Sequence, residues 1–247
     1  MIEFRSWTHR EEFPPALKDG DVHLWCARLD VENSLAARLE ATLSPDERER
    51  AGRLALPVVR RRFTVARGHL REILGRYAGL PPGRLRFRYG GSGKPAPAVP
   101  DAPRFSVSHT EDHAVFALHR TLELGVDVER LRPIPNGERL AKRFFSSGEH
   151  RSLLRVPPER RDFAFLTCWT RKEACAKAVG EPLIPMLKRF EVPVEPGERA
   201  RVALLDGDPV AAARWSLTDL APAPGHIGAL AVEGPILRVL LFGWPGA

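Results

Sequence analysis

The chain has 247 residues, 43% of them hydrophobic, and a formal net charge of +7 from 38 Lys and Arg against 31 Asp and Glu. That length and apolar content carry a packed core in one large domain or two small ones, and without low-complexity tracts or like-charge blocks they exclude a disordered chain. The longest apolar run near the end, 236–244, is broken by Arg238 and is too short to span a bilayer, so no membrane association is expected.

The first residues, Met1 to Trp7, are charged early and lack the apolar core of a signal peptide. Cys26, Cys168 and Cys175 show no metal-binding spacing, which predicts reduced thiols in the cytoplasm. A basic surface favours polyanions: nucleic acid, phosphorylated cofactors or acidic proteins. The excess is nearly all arginine. Lysine occurs only at Lys18, Lys94, Lys142, Lys172, Lys177 and Lys188, and as a compact point charge it suits phosphate.

In chain order, residues 21–29 alternate as a strand. Ser44-Pro45-Asp46-Glu47 is a helix start: Ser44 caps, Pro45 suits the first helical position and Glu47 completes a capping box. Arg48, Arg50 and Arg53 follow. A second helix is predicted from about 58 to 77, carrying Arg60, Arg61, Arg62, Arg67, Arg71 and Arg76 beside Phe63, Leu70 and Leu74, and stopped by Gly79 with Pro81 and Pro82 beyond. Its arginines read either as a solvated face or as a cradle for a phosphate-rich ligand. A strand at 85–89 leads into Gly90-Gly91-Ser92-Gly93-Lys94-Pro95. The spacing is not that of a P-loop, but a glycine-rich turn presenting Lys94 is compatible with an anion contact.

Residues 104–109 form a predicted strand with Phe105 and Val107 on one face, Ser106 and Ser108 on the other, and His109 at its end; 113–119 is the returning strand of a hairpin. In Leu124-Gly125-Val126-Asp127-Val128-Glu129 the apolar residues face one way and Gly125, Asp127 and Glu129 the other. Two carboxylates two apart on a strand lie about 6.6 Å apart on the same side. Either this is the exposed face of an edge strand or a hard cation draws them together, with Gly125 leaving room for a ligand. Ser146 and Glu149 have capping-box spacing. A helix near 162–179 ends at Gly180, and further strands are expected at 189–194, 201–205, 214–218 and 227–232.

The helix near 162–179 sets Phe165, Trp169, Ala176 and Val179 on one stripe, read as core. Glu173 and Lys177 are four apart on its edge. Lys172 lies within the stripe, where an ammonium must snorkel or find an anion. By itself the pair is either a surface ion pair or part of a site for a metal-bound phosphate. The chain also echoes itself: each long helix is followed by a strand, a turn and a hairpin, and Phe105-Ser106-Val107-Ser108 resembles Trp215-Ser216-Leu217-Thr218. This reads as two related α+β halves, 1–122 and 123–247, with the carboxylate strand opening the second.

Taken together, Gly93-Lys94-Pro95, Phe105-Ser106-Val107-Ser108-His109, Gly125-Val126-Asp127-Val128-Glu129, Arg143-Phe144-Phe145-Ser146 and Trp169-Thr170-Arg171-Lys172-Glu173-Ala174-Cys175-Ala176-Lys177 resemble, in order and spacing, the 4′-phosphopantetheinyl transferases of the Sfp type. The motifs span about residues 44 to 195. The resemblance implies an α+β pseudo-dimer of two similar α/β halves with the active site between them. It implies transfer of the phosphopantetheine arm of coenzyme A to a serine of an acyl, aryl or peptidyl carrier protein, with adenosine 3′,5′-bisphosphate as the other product. Carried over residue by residue, Asp127, Glu129 and Glu173 would hold Mg²⁺, and Glu173, directly or through water, would help deprotonate the serine. Lys177 and Lys172 would meet phosphate, Ser108 and His109 would contact the adenosine-side phosphates, and Lys94, Arg50 and Arg62 match positions near the nucleotide. One departure stands in the first helix, where some relatives place a lysine and this chain has Glu47, with Arg48 or Arg50 available instead.

The chemistry agrees, because displacement at a pyrophosphate needs charge neutralisation and in-line positioning, and hard oxygen ligands suit Mg²⁺. Carrier proteins are typically acidic around the modified serine, so a cationic face would steer them in. A fused pair of halves suggests a monomer. The rival readings are a nucleic-acid-binding module, which leaves Asp127 and Glu129 unexplained, a Mg²⁺-dependent phosphodiester hydrolase using the same carboxylates, and a degenerate relative that only binds coenzyme A. The pathway served, whether fatty acid, polyketide, nonribosomal peptide or siderophore, is not encoded in these motifs.

Overall fold

The computed structural model describes residues 2–5, 16–90 and 93–244. The first residues read for a leader and Gly91 and Ser92 of the glycine-rich turn lie wholly or partly outside them. In chain order the elements are β1 (Ile2–Arg5), β2 (Asp21–Arg28), α1 (Asn33–Ala41), α2 (Pro45–Gly52), α3 (Pro57–Ala78), β3 (Phe87–Tyr89), β4 (Pro95–Pro97), β5 (Arg104–Thr110), β6 (His113–His119), β7 (Leu124–Arg130), α4 (Gly137–Phe144), α5 (Ser147–Arg155), α6 (Arg161–Val179), α7 (Leu183–Met186), β8 (Phe190–Glu191), β9 (Leu204–Leu205), α8 (Pro209–Ala212), β10 (Trp215–Leu220), β11 (His226–Glu233) and β12 (Arg238–Gly243). The chain is a mixed α+β protein.

Two sheets carry the architecture. One has five strands in the order β1-β12-β2-β6-β5, the other three antiparallel strands in the order β10-β11-β7. Alternation in the sequence explains how they stack. In β2, Trp25 and Ala27 pack with α1 and α3, while Val22 and Leu24 turn to the opposite side. There they meet Val115 and Ala117 of β6, Val126 and Val128 of β7, and Leu230 and Val232 of β11. The outer face of the three-stranded sheet, with Ala229 and Ala231, packs against α6. The order of layers is helix, sheet, sheet, helix, and the inner strands are apolar on both faces because both faces are covered. The division at residue 122 does not follow the sheets. β12 pairs in parallel with β1 and β2, so the end of the chain returns to the first sheet.

The predicted helix starts form for the expected reasons. Ser44 and Ser146 each close a capping box, the backbone N–H of Ser44 donating to Glu47 at 3.0 Å and that of Ser146 to Glu149 at 2.7 Å. α3 and α6 end on Gly79 and Gly180, both with positive φ. Two strand expectations shrink: 189–194 pairs only over Phe190–Glu191, where Pro193 ends the donor row, and 201–205 only over Leu204–Leu205. Val179, expected in the core, is 38% exposed at the open end of α6.

α6 is buried nearly all round, and two of its buried residues are cations. Arg171, with no exposed surface, donates to both carboxylate oxygens of Asp219 at 2.8 and 2.6 Å and to the carbonyls of Pro193 and Glu198. Fully paired in this way, the guanidinium ties α6 to β10 and to the loop beyond β8, and its desolvation is offset by charge-assisted bonds. Among the described residues, no helix is long and apolar enough to cross a membrane.

Candidate active site

The two sheets meet along β5 and β7, and side chains make the junction. The Oγ of Ser106 accepts from the backbone N–H of Val126 at 3.1 Å, and the Oγ of Ser108 accepts from that of Val128 at 3.3 Å. The outward edge of β7 is thereby satisfied without a ladder. Ser108 also donates to Oδ1 of Asp127 at 2.8 Å. The serine face of β5, alternating with Phe105 and Val107, is what allows a hydroxyl every second residue to serve this edge.

α6 lies across the other face of β7 at very close range. A Cβ on Gly125 would stand 1.9 Å from the Ala174 carbonyl oxygen and 2.5 Å from the Ala178 nitrogen. Gly125 therefore makes room for the helix backbone rather than for a ligand, which corrects the reading of it as a ligand gap. The approach brings Lys177 onto the strand: its ammonium donates to Asp127 Oδ1 at 2.6 Å and to Ser108 Oγ at 3.1 Å. Glu173, one turn back, lies 3.7 Å from the same ammonium. Asp127 thus sits beneath a helix, not on an open edge.

Asp127, Glu129 and Glu173 share one field. Glu173 is pushed up to about 7, first by burial and then by the charge of Asp127. Glu129 is raised by burial and again by Asp127. Oδ2 of Asp127 is buried and has no hydrogen-bond partner. An orphaned carboxylate oxygen near two carboxyls that resist ionisation is an all-oxygen donor set whose chemistry suits Mg²⁺, although the three carboxyls do not all lie within 4.8 Å of one another.

From Lys177 a cleft of about 360 Å³ opens between α3, β5 and the end of α6, lined by Arg50, Phe63, Arg67, Lys94, His109 and Lys177 among others. Its cations give it a lining whose chemistry suits a phosphorylated ligand. A second hollow of about 310 Å³ continues past Lys94, Phe105 and Gly180. Arg50 lies over the Phe63 ring at 5.5 Å. His109 is held below the usual imidazole range, first by desolvation and then by the charge of Lys177. Lys94 lines both hollows, with its ammonium on Glu123, on the Leu124 carbonyl and, at 3.5 Å, on that of Ala178.

Three expected contacts do not line this cleft, and one of them, Ser108, is engaged by Asp127, Val128 and Lys177 instead. Lys172 has no exposed surface; its ammonium donates to both oxygens of Glu149 at 2.7 Å and to the Phe190 carbonyl. It is a core ion pair rather than a cofactor contact, because the capping glutamate of α5 is carried into the core beneath it. Arg62 points away as well, forming a two-pronged pair with Asp30 at 2.9 and 2.7 Å. Arg48 is taken by the Leu43 carbonyl, which leaves Arg50 as the arginine of α2 that lines the cleft.

Sequence reasoning missed Arg67. It lines the cleft between Phe63 and Phe87, at 5.8 and 5.6 Å from their centroids, and its Nη1 is buried without a hydrogen-bond partner. Glu47 explains its placement. This buried carboxylate pairs with Arg71 at 2.6 Å and reaches Arg67 at 3.5 Å, so Glu47 organises the arginines of α3. The signal was available: Phe63, Arg67, Leu70 and Leu74 follow one helical stripe, and an arginine inside an apolar stripe needs a partner.

Carboxylates suited to a divalent cation, a lysine bridging to them and a cationic cleft define a site for a phosphate ester or anhydride. The 4′-phosphopantetheinyl transferase superfamily model matches residues 123–230. The 4′-phosphopantetheinyl transferase HetI of Nostoc sp. is 40% identical over 236 residues, 94% of this chain and 93% of its own. The 4′-phosphopantetheinyl transferase psf-1 of Bacillus pumilus is 30% identical over 169 residues, 68% of this chain and 71% of its own. A 4′-phosphopantetheinyl transferase of Bacillus subtilis is 29% identical over 171 residues, 69% of this chain and 75% of its own. The chain belongs to the 4′-phosphopantetheinyl transferase family, and it is an enzyme of the transferase class.

Proposed function

We propose that the chain moves the 4′-phosphopantetheine arm of coenzyme A onto a serine of an acidic acyl or peptidyl carrier protein, releasing adenosine 3′,5′-bisphosphate. Asp127, Glu129 and Glu173 would hold Mg²⁺, which when bound neutralises charge on the pyrophosphate. The serine oxygen attacks the phosphorus that bears the pantetheine arm, and the bond to the bridging oxygen of the pyrophosphate breaks. Glu173, directly or through a water, takes the serine proton. Lys177, held over the same centre by Asp127 and Ser108, balances the charge of the departing bisphosphate. Arg50, Arg67, His109 and Lys94 would receive the nucleotide end.

The observation that carries this reading is the junction of the Lys177–Asp127 pair with the cationic cleft along the β5–β7 seam. We take this seam as the meeting line of two halves, 1–122 and 123–247, that form a pseudo-dimer, each with a long helix packed near an antiparallel hairpin and with β12 returned to the first. The protein would work as a monomer in the cytoplasm, its net charge of +7 steering acidic carriers toward it.

The test is to incubate the protein with coenzyme A, Mg²⁺ and several apo carrier proteins and to weigh the carriers. One phosphopantetheine added per carrier is expected, along with adenosine bisphosphate. Asp127→Ala should lose this activity while keeping its circular dichroism spectrum, since the apolar face of β7 is untouched. No mass gain on any carrier would sink the assignment, and full activity in Asp127→Ala would remove that residue from it.

A further inference from the structure

A second cluster of ligating side chains lies just past Glu129 and His109, where His226 pairs with Arg130 and His113 with Thr110. Asp112 stands in the turn between β5 and β6, His113 opens β6 in the five-stranded sheet, and His226 opens β11 in the three-stranded sheet. One ligand atom from each of the three lies within 4.8 Å of the others. The two imidazole rings are 4.4 Å apart between centroids, tilted by 49°.

The hydrogen bonds show which atoms are free. Nδ1 of His226 is 3.0 Å from the Pro224 carbonyl oxygen. A carbonyl only accepts, so Nδ1 carries the proton and Nε2 is left as a bare lone pair. That Nε2 is buried and has no hydrogen-bond partner. An imidazole that donates one N–H to a backbone carbonyl and keeps the other nitrogen bare is in the state of a metal ligand. Asp112 is engaged at both oxygens, Arg28 donating to Oδ2 at 3.1 Å and Nδ1 of His113 to Oδ1 at 3.0 Å, so Nε2 is the ligating nitrogen of His113 and a metal would take one Asp112 oxygen from its present partner. The nearby cations are neutralised, Arg28 by Asp112 itself and Arg130, the cross-strand neighbour of His226, by Glu111.

We propose that Asp112, His113 and His226 form a binding site for a transition-metal ion of the Zn²⁺ class, which clamps the ends of the two sheets together. Two imidazole nitrogens and a carboxylate oxygen suit Zn²⁺ and its neighbours in the first row, whereas Mg²⁺ takes oxygen ligands and keeps its waters. The site therefore differs in metal class from the Asp127 cluster and is independent of the transferase mechanism. The three side chains leave one coordination position for water.

The full chain is titrated with Zn²⁺ by calorimetry in excess Mg²⁺. Saturable uptake of one Zn²⁺ per chain is expected, with a rise in thermal midpoint of at least about 5 °C at a hundredfold excess over Kd. His226→Ala and His113→Ala should each weaken uptake tenfold or more and lose the thermal shift, while Asp127→Ala and the control His150→Ala keep both. His226→Gln retains side-chain bulk if the alanine variant departs from the parent circular dichroism. Absence of saturable uptake, uptake unchanged when both His113 and His226 are replaced, or uptake abolished by Asp127→Ala would each overturn the proposal.

Discussion

Replacing Gly125 by alanine tests how closely α6 must ride on β7. The added methyl would meet the Ala174 carbonyl oxygen at 1.9 Å, the Ala178 nitrogen at 2.5 Å and the Cβ of Lys177 at 2.9 Å. The first two are backbone atoms, so no side-chain rotation relieves the clash. Restoring ordinary contact requires α6 to withdraw from β7 by about 1.5 Å, which is overpacking of a dense core and costs about 1–3 kcal/mol. For a chain of this size that is a fall in thermal midpoint of about 2–12 °C. The catalytic effect should be larger. The same withdrawal stretches the Lys177–Asp127 contact, now 2.6 Å, and lifts Glu173 from the strand carboxylates. A misplacement of about 1 Å in a reacting site is worth about a hundredfold in rate. Gly125→Ala is therefore expected to fold, melt lower and lose about two orders of magnitude in kcat/KM for carrier modification, measured by mass under initial-rate conditions beside a melting curve. A variant with kcat/KM within twofold of the parent and an unchanged thermal midpoint would refute the close-approach argument.

Three further outcomes follow from the same geometry. Arg67→Met should raise the KM for coenzyme A about ten- to hundredfold, a charge-assisted bond being worth about 1.5–3 kcal/mol, whereas Arg62→Met, whose residue is paired with Asp30 outside the cleft, should change it less than twofold; steady-state kinetics separates the two. Lys172→Met strands the buried Glu149 carboxylate and should destabilise the fold by about 3–5 kcal/mol in urea unfolding, with the KM for coenzyme A unchanged in whatever fraction remains folded. His69, buried and held down to about 4 from 6.5, stays neutral in the folded state while the unfolded chain takes up the proton. Its contribution is therefore complete above pH 6.5 and is lost as pH falls toward 4, up to about 3 kcal/mol; His69→Gln should flatten that part of the curve of unfolding free energy against pH.

Much of this protein was legible as pattern. Alternation in 104–109 and 124–129, the two capping boxes and the glycine stops at Gly79 and Gly180 are local features, each decided by a residue's own backbone and its neighbours within one turn or two. So was the company of Asp127, Glu129, Glu173 and Lys177, because period-two and period-four spacings put like faces together and the order of motifs resembles one family. Other residues were read wrongly or passed over for a single physical reason: their partners are distant in sequence. Lys172 stood open between packing and a phosphate contact because nothing nearby in the chain shows that Glu149, 23 residues upstream, folds beneath it. Arg62 and Arg67 are five residues apart on one arginine-rich helix, and only packing sends the first to Asp30 and the second, between two phenylalanines, to the cleft.

By itself, the sequence determined the two long helices, the central strands and the family, since these rest on short-range periodicity and on motif order. Tertiary structure alone decided that the chain ends by returning β12 to the first sheet, that serine hydroxyls rather than a ladder join β5 to β7, and that Gly125 is bare so that a helix can lie on it. Those outcomes depend on which surfaces meet. A carboxylate on a strand acquires its chemistry from what is packed against it: Asp127 becomes a buried, half-satisfied carboxylate because α6 covers it and Lys177 arrives from above.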